Sequence, residues 1–348
     1  MNKWKTLQKW KTFRISQRNK SILLAVLVAA LVAVPFVITD KYILHIIIAC
    51  FIYSCLALSL NLIIGLSGQF SLGHVTFYGL GAYITALLMM RLNMSFWIAM
   101  FISAVCVGIV GCLLALPTLN LRGDYIAVVT LGFGEVFRLI LVNAIDVTRG
   151  PMGLPNIPKP TIGSFVFDSK IKFYFLGLII MILVIIFMKR LTASGFGMAM
   201  LSMKEDEIAA AAIGINPIKY KLWAFVIGAV IAGVMGSFYA VFMGFISPSS
   251  FQYSESISMV SMVVLGGLGG IPGSIIGAVV LTVLPEVLRT FSQYRMIIFG
   301  AAMVIMMIFK PNGIWGLDKR VRNIYKRNNM HVLKMKRGAK DGKSASSI

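Results

Sequence analysis

The stretch LNLIIGLSGQFSLGHVTFYGLGAY, residues 60–83, places five glycines and several polar side chains between apolar flanks. A plain membrane anchor needs none of these polar residues, which are Asn61, Ser67, Gln69, Ser71, His74 and Thr76. Glycines that interrupt a helix free backbone polar groups, and inside a membrane these groups must be satisfied by protein or by water in a cavity. The stretch therefore predicts a broken membrane helix beside a polar, water-accessible lining.

The composition of the whole chain agrees with a membrane location. Of its 348 residues, 58% are hydrophobic and only 13% are charged, which is outside the range of soluble globular domains. A helix needs roughly 20 apolar residues to cross the hydrocarbon core. We predict an all-α, polytopic membrane protein with about ten transmembrane helices, near residues 21–39, 42–64, 76–90, 96–116, 125–144, 173–188, 222–246, 257–270, 274–288 and 294–309.

The placement of the basic residues predicts the orientation. Seven Lys or Arg precede residue 21, five lie in the 189–221 connection, and eleven lie from Lys310 onward. Because short basic flanks mark the cytoplasmic side, both termini and residues 189–221 are expected there, which requires an even number of spans. The net charge of +21 thus favours contact with anionic headgroups, and nucleic acid is not an expected partner.

This orientation divides the chain into a basic N-terminal segment, one membrane domain and a tail. The N-terminal segment covers residues 1–20, and the apolar run after it is expected to stay as a membrane anchor. The transmembrane domain covers 21–315, with a Pro- and Gly-rich external loop at 145–172. Residues 316–348 form a basic cytoplasmic tail of disordered composition.

A second glycine cluster, VVLGGLGGIPGSIIGAVV at 263–280, interrupts another apolar region. Paired Gly- or Pro-interrupted segments in the two halves of a chain indicate a transport pathway built from internal repeats. A five-span repeat would make the two halves inverted relative to each other. The alternative is that small residues only let membrane helices pack closely.

The two interrupted segments supply the predicted pathway residues. For His74, a structural hydrogen bond between helices is the alternative to direct contact with a passing solute. The pathway candidates are Asn61, Gln69, Ser71, His74, Thr76, Gly266 and Gly269.

Charged residues inside the predicted spans are few. Glu135 and Arg138 are three residues apart, so they lie on one helical face and are predicted to form an intramembrane ion pair. Glu286 and Arg289 have the same spacing. Such pairs favour a structural or gating role over proton or sodium coupling. The four cysteines fall inside predicted spans without a CxxC, so neither a disulfide framework nor a metal site is predicted.

Five segments, in order, resemble one protein family. GLSGQFSLGHVTFYGLGAY, LRGDYIAVVTLGFGEVFRLI (121–140), RGPMGLPNIP (149–158), KEDEIAAAAIGINPIKYKLWAFV (204–226) and the 263–280 cluster are similar to permease subunits of ATP-binding cassette (ABC) importers for branched-chain amino acids. The pattern looks most like the M-type permease. Arg149 departs from it, because a small residue, usually Gly, is expected there.

The resemblance gives the 189–221 connection a role. Acids at 205–207 open an Ala-rich run that ends at Gly214 and Asn216-Pro217, which predicts a short helix over 205–214. Such a helix resembles the coupling helix that docks on the ATPase, whose motif is Glu-Ala-Ala, three residues, then Gly. Glu207 stands one place early, and an ordinary connecting helix is the alternative. The predicted coupling residues are Glu205, Asp206, Glu207, Ala209, Ala210 and Gly214.

The resemblance also implies the partners. They are a second, homologous permease of the H type, two ABC ATPases that bind the ATP, and an extracytoplasmic solute-binding protein, all at the bacterial cytoplasmic membrane. We expect no cofactor, metal or enzymatic activity in this chain, because GAKDGKSAS (338–346) has three residues between its glycines where a P-loop has four. Expected solutes are leucine, isoleucine and valine. The alternatives are urea or short-chain amides, or an ion-coupled secondary carrier.

Overall fold

The computed structural model describes residues 31–36, 40–119, 121, 123–163 and 165–288, together with residues 300, 304, 313 and 314. Ten helices in this part of the chain are labelled in order: α1 Lys41–Asn61, α2 His74–Arg91, α3 Phe96–Thr118, α4 Asp124–Asn143, α5 Lys170–Ala193, α6 Gly195–Glu205, α7 Glu207–Ala212, α8 Pro217–Met243, α9 Tyr253–Gly266 and α10 Ile271–Val287. A π-helical turn, Leu62–Leu66, extends α1. Single helical turns lie at Ile145–Thr148, Gly150–Met152 and Pro248–Phe251.

The positions of these helices match those of the predicted spans wherever both can be compared. Each span predicted between residues 42 and 288 corresponds to a helix whose ends differ by a few residues. The predicted spans at 21–39 and 294–309 lie largely outside the described residues. Within those residues, five helices are long and apolar enough to cross a membrane, namely Lys41–Leu66, Phe96–Thr118, Asp124–Asn143, Lys170–Ala193 and Pro217–Met243.

Side-chain caps fix where several helices begin. Asp40 precedes α1 and accepts a hydrogen bond from the Tyr42 amide at 2.8 Å. Asn216 caps α8 in the same way, and Pro217 follows it at the first helical position, where no amide donor is needed. These caps satisfy backbone donors that a helix start leaves free.

The centre of the fold is α8, which packs against α2 and α3 and contacts α1. A Cβ on Gly233 would lie 2.9 Å from Val107 of α3, and one on Gly236 would lie 2.8 Å from the Ala82 amide of α2. Larger residues there would separate the helices.

The region between α4 and α5 is irregular and rich in turns, in line with its proline and glycine content. Strand β1 (Leu154–Pro155) pairs with β4 (Phe245–Ile246), while β2 (Thr161–Ile162) and β3 (Phe165–Val166) form a small hairpin. Arg149 has a left-handed backbone, with φ of 59°. This conformation favours glycine, and it gives a physical reason for the small residue expected at that position.

The prediction of one short helix over 205–214 was wrong in its boundaries. Glu205 ends α6, and the extended backbone of Asp206 separates it from α7. The Asp206 carboxylate accepts hydrogen bonds from the amides of Ile208 and Ala209, at 2.9 and 3.0 Å. Asp206 therefore starts a new helix where the acidic run had suggested a single first turn.

Candidate functional site

The helix break predicted within residues 60–83 lies between α1 and α2. The Ser67 amide donates to the Leu62 carbonyl, which closes a wide π-type turn, and Gly68 then takes a φ of 75°. Residues 69–73 are irregular until α2 begins at His74. The whole turn Leu62–Leu66 is buried, so its freed backbone groups need partners within the protein.

The second break, at residues 267–270 between α9 and α10, contacts the first. The Gly269 amide donates to Asn61 Oδ1 at 2.7 Å. Gly65 lies against the same place, because a Cβ added there would be 2.5 Å from the Gly269 nitrogen and would also collide with Asn61 Oδ1. A buried hydrogen bond between Asn61 and Gly269, which are 208 residues apart in the chain, therefore joins the two interrupted segments.

The glycines that flank the second break pack α9 against α10. A Cβ on Gly266 would lie 2.9 Å from the Ser274 amide, and one on Gly277 would lie 2.9 Å from the Gly266 amide. Gly267 and Gly269 have positive φ angles of 111° and 81°, which only glycine adopts readily. Close packing and backbone freedom therefore both contribute to this cluster.

The polar pathway candidates of the first segment are fully buried inside the chain. Ser59 Oγ and His74 Nε2 are hydrogen-bonded at 2.7 Å, which links α1 to α2. Gln69 Nε2 donates to Ser67 Oγ and, at 3.2 Å, to the Lys221 carbonyl of α8. These hydrogen bonds hold the break against α2 and α8. Other polar atoms of the same side chains make no hydrogen bond to the described residues.

Several buried polar atoms at the break have no hydrogen-bond partner among the described residues. They are Asn61 Nδ2, Gln69 Oε1, Ser71 Oγ, His74 Nδ1 and Thr76 Oγ1. An unsatisfied buried polar atom costs about 1–3 kcal/mol, so hydrogen bonds from these five atoms to water or to a solute would be favourable.

The predicted intramembrane pair is present on α4. Arg138 Nε donates to Glu135 Oε2 at 2.8 Å, and the two side chains are 33% and 37% exposed in the isolated chain. Glu286 instead accepts a hydrogen bond from the Tyr42 hydroxyl of α1. Its predicted partner Arg289 lies outside the described residues.

The 189–221 connection exposes an apolar surface on and beside α7. Ile208 and Ile213 are 72% and 75% exposed, and Ala209 and Gly214 are exposed with them. Glu205 and Asp206 are also exposed, whereas Ala210 is buried. Of the predicted coupling residues, the exposed ones are therefore accessible to a partner, namely Glu205, Asp206, Ala209 and Gly214. Ala210 instead anchors α7 to the fold.

Glu207 points back toward the fold. Both of its carboxylate oxygens lie 2.8 Å from Nζ of the buried residue Lys221 on α8. A buried ammonium needs a paired carboxylate, so Glu207 joins α7 to α8 at the point where Gln69 contacts the Lys221 backbone. This contact gives a structural role to the glutamate that stands one place early in the motif.

Three charged residues that the structure pairs with distant groups were not among the predicted site residues. Lys204 Nζ donates to the Gly65 carbonyl at 2.7 Å, and burial lowers the pKa of this ammonium from its ordinary value. Lys221 pairs with Glu207, and the half-buried Glu255 of α9 accepts a hydrogen bond from the Tyr53 hydroxyl at 3.1 Å. No local spacing indicated these pairings, because the partners are 139, 14 and 202 residues apart in sequence.

No cluster of three or more His, Cys, Asp or Glu side chains in the described part of the chain could hold a metal ion. The four cysteines, all described, are free thiols.

Comparison with known proteins gives concordant matches. The family model described as "Branched-chain amino acid transport system / permease component" matches residues 42–307. The chain is 37% identical to the high-affinity branched-chain amino acid transport system permease protein LivM of Escherichia coli K12, over 94% of this chain and 80% of that protein. It is 38% identical to LivM of Salmonella typhimurium, over 85% and 75%. The LivH permease of Salmonella typhimurium is 25% identical over 76% and 91%. No solved structure matches the chain.

Proposed function

Because the chain belongs to the family of branched-chain amino acid transport system permease components, we propose that it is the M-type permease subunit of an ABC importer. Its helices supply half of a path for leucine, isoleucine and valine. The similarity to LivM over almost the whole chain is the observation that supports this most strongly.

The path runs beside the two broken segments. The residues assigned to it are Asn61, Gln69, Ser71, His74, Thr76, Gly266 and Gly269, and their support is the group of buried polar atoms without partners. A hydrogen-bonding solute or its water would satisfy these atoms in a conformation that opens the break. Alternating access then follows from two states with different contacts at the junction between Asn61 and Gly269.

The complete membrane domain has about ten helices arranged as two inverted halves, with both termini in the cytoplasm. Support comes from the distribution of Lys and Arg and from the occurrence of one broken segment in each half. The domain lies in the bacterial cytoplasmic membrane, and the basic segments 1–20 and 316–348 contact anionic headgroups.

An ATPase subunit docks on α7. The exposed pair Ile208 and Ile213 gives this cytoplasmic surface the apolar centre that a specific protein contact needs, and the exposed acids Glu205 and Asp206 lie at its edge. Two such ATPases bind and hydrolyse ATP, so this chain needs no nucleotide site of its own.

A homologous permease of the H type completes the path, and a solute-binding protein delivers solute from outside. The similarity of the chain to LivH proteins supports a quasi-symmetric pair of related permeases. The Glu135–Arg138 pair of α4, a third exposed in the isolated chain, favours cover by such a neighbour over lipid, because charges facing lipid are costly.

The test is affinity purification of the tagged chain from its native membranes in mild detergent, with mass spectrometry of what remains bound. Recovery of a Walker-A ATPase and a second glycine-rich permease supports the proposal. Recovery of the active chain alone would refute it and favour an ion-coupled carrier. Competition of labelled leucine uptake by unlabelled valine, urea and acetamide then separates branched-chain amino acids from urea and amides.

A further inference from the structure

The end of α6 contacts the helix break directly. Lys204, one residue before the end of α6, donates from Nζ to the carbonyl oxygen of Gly65 at 2.7 Å. Its methylene stem lies against Gly68, where an added Cβ would be 3.0 Å from Lys204 Cγ. Gly68 has a positive φ, so the chain turns away from α1 at the point where the lysine covers it.

The ammonium of Lys204 occupies a position where it has a specific electrostatic role. The carbonyls at the end of a helix are the negative end of its dipole, and Gly65 lies in the buried π turn at the end of α1. A half-buried lysine gives up part of its hydration, and this loss is compensated only while the carbonyl remains within hydrogen-bond distance. The contact therefore resists separation of α6 from α1.

A second connection joins α7 to the other end of the break. Glu207 is paired with Lys221, and the backbone carbonyl of Lys221 accepts a hydrogen bond from Gln69 at 3.2 Å. Gly65 and Gln69 thus bracket the break, and each is connected to the α6–α7 unit within one or two contacts.

The connection reaches the second broken segment as well. Gly65 packs on Gly269, whose amide is bonded to Asn61 Oδ1. A displacement of Lys204 therefore acts on a junction that includes both breaks. Packed, hydrogen-bonded elements of this kind move together, because buried polar contacts are costly to leave unmade.

From these contacts we infer that Lys204 is the positioning residue that transmits movement of the ATPase-facing unit α6–α7 to the helix break at Gly65. The inference builds on the proposed function, since it takes α7 as the surface that an ATPase displaces. It adds that the bond between Lys204 and Gly65, and not only the docking surface, sets how much transport results from each ATP hydrolysed.

The experiment compares three variants of the full complex, purified and reconstituted in proteoliposomes. Lys204→Met keeps the stem but removes the donor, Lys204→Arg keeps a charged donor, and Lys219→Met removes an exposed lysine of the same connection as a control. ATP hydrolysis and leucine uptake are measured in the same vesicles. For Lys204→Met we expect hydrolysis within about twofold of the unaltered complex and uptake per ATP reduced about tenfold. Lys204→Arg should recover most of this ratio, and Lys219→Met should not change it.

A merely structural role would lower hydrolysis and uptake together, so an unchanged ratio for Lys204→Met would overturn the inference. Failure of the unaltered complex to couple ATP to uptake would instead overturn the proposed function, and the inference with it. If Lys204→Met does not assemble, hydrogen–deuterium exchange of the unaltered complex decides the question. Amide exchange across residues 65–73 should change on nucleotide binding, and the absence of any change there would contradict the inference.

Discussion

Replacement of Gly65 by alanine tests whether the two broken segments are held together as the structure describes. The added methyl carbon would lie 2.5 Å from the Gly269 nitrogen, whereas unstrained contacts between heavy atoms are about 3.5–4 Å. The same methyl group would meet Asn61 Oδ1. Because the surrounding turn is fully buried, the segments must separate by about 1 Å to accept it.

Two terms set the size of the effect. Overpacking in a close-packed interior costs about 1–3 kcal/mol. Loss of the Asn61–Gly269 hydrogen bond leaves a buried amide without a partner and costs about 1–3 kcal/mol more. We therefore expect Gly65→Ala to lower the free energy of unfolding by roughly 2–6 kcal/mol, as the sum of these two ranges.

The assay is thermal unfolding of the purified protein in detergent, with uptake as a second readout. Gly132→Ala is the matched control, because a Cβ there meets no atom within 4 Å and alanine is the better helix former. Its unfolding midpoint should stay the same or rise slightly, while that of Gly65→Ala falls by several degrees. Equal midpoints for the two variants would show that the segments do not meet at Gly65.

Three further predictions concern the backbone of Arg149 and the ion pairs Glu207–Lys221 and Asp168–Lys172. Arg149→Gly should raise the free energy of unfolding by about 1 kcal/mol, because it removes a left-handed non-glycine residue, and Arg149→Ala should give no such gain in thermal unfolding. Glu207→Ala should destabilise the protein by about 2 kcal/mol because it leaves buried Lys221 unpaired, and a double variant with Lys221→Met should recover most of the loss. An NMR titration should place the pKa of Asp168 below its usual range, because Lys172 donates to its carboxylate at 2.6 Å. The stabilisation from this contact is therefore present above about pH 4, where the unfolded carboxyl is ionised, and is lost as pH falls through the lower folded pKa. Lys172→Met should raise that pKa toward the ordinary value, and an unchanged pKa would contradict the assignment.

Helices were the part of the fold that sequence predicted best, because length and apolarity determine where the long helices lie to within a few residues at each end. The π turn after Asn61 could not be placed, since glycine content shows that a helix breaks without showing how its backbone bonds are rearranged. The acidic run at 205–207 was assigned to one helix because acids suit any first turn. It could not show that the extended backbone of Asp206 would divide the segment.

The sequence predicted which segments form the site, but it did not predict most of the contacts between individual residues. Pairing of the 60–83 and 263–280 segments followed from their glycines, and the structure joins them through Asn61 and Gly269. The pairings of Lys204 with Gly65 and of Lys221 with Glu207 depend on tertiary geometry, and no local spacing encodes them. The Glu135–Arg138 pair was accessible to prediction because a helix places residues three apart on one face.

ATP-driven solute uptake is the measurement that tests the central claim most directly. The chain is co-expressed with its co-purifying subunits, reconstituted in proteoliposomes with the solute-binding protein, and supplied with ATP on the α7 side. The account predicts labelled leucine uptake that requires ATP, persists with an ionophore present, and is lost when Ile208 and Ile213 are both changed to Asp. Uptake that continues without ATP and collapses with the ionophore would contradict it, because the driving force would then be an ion gradient.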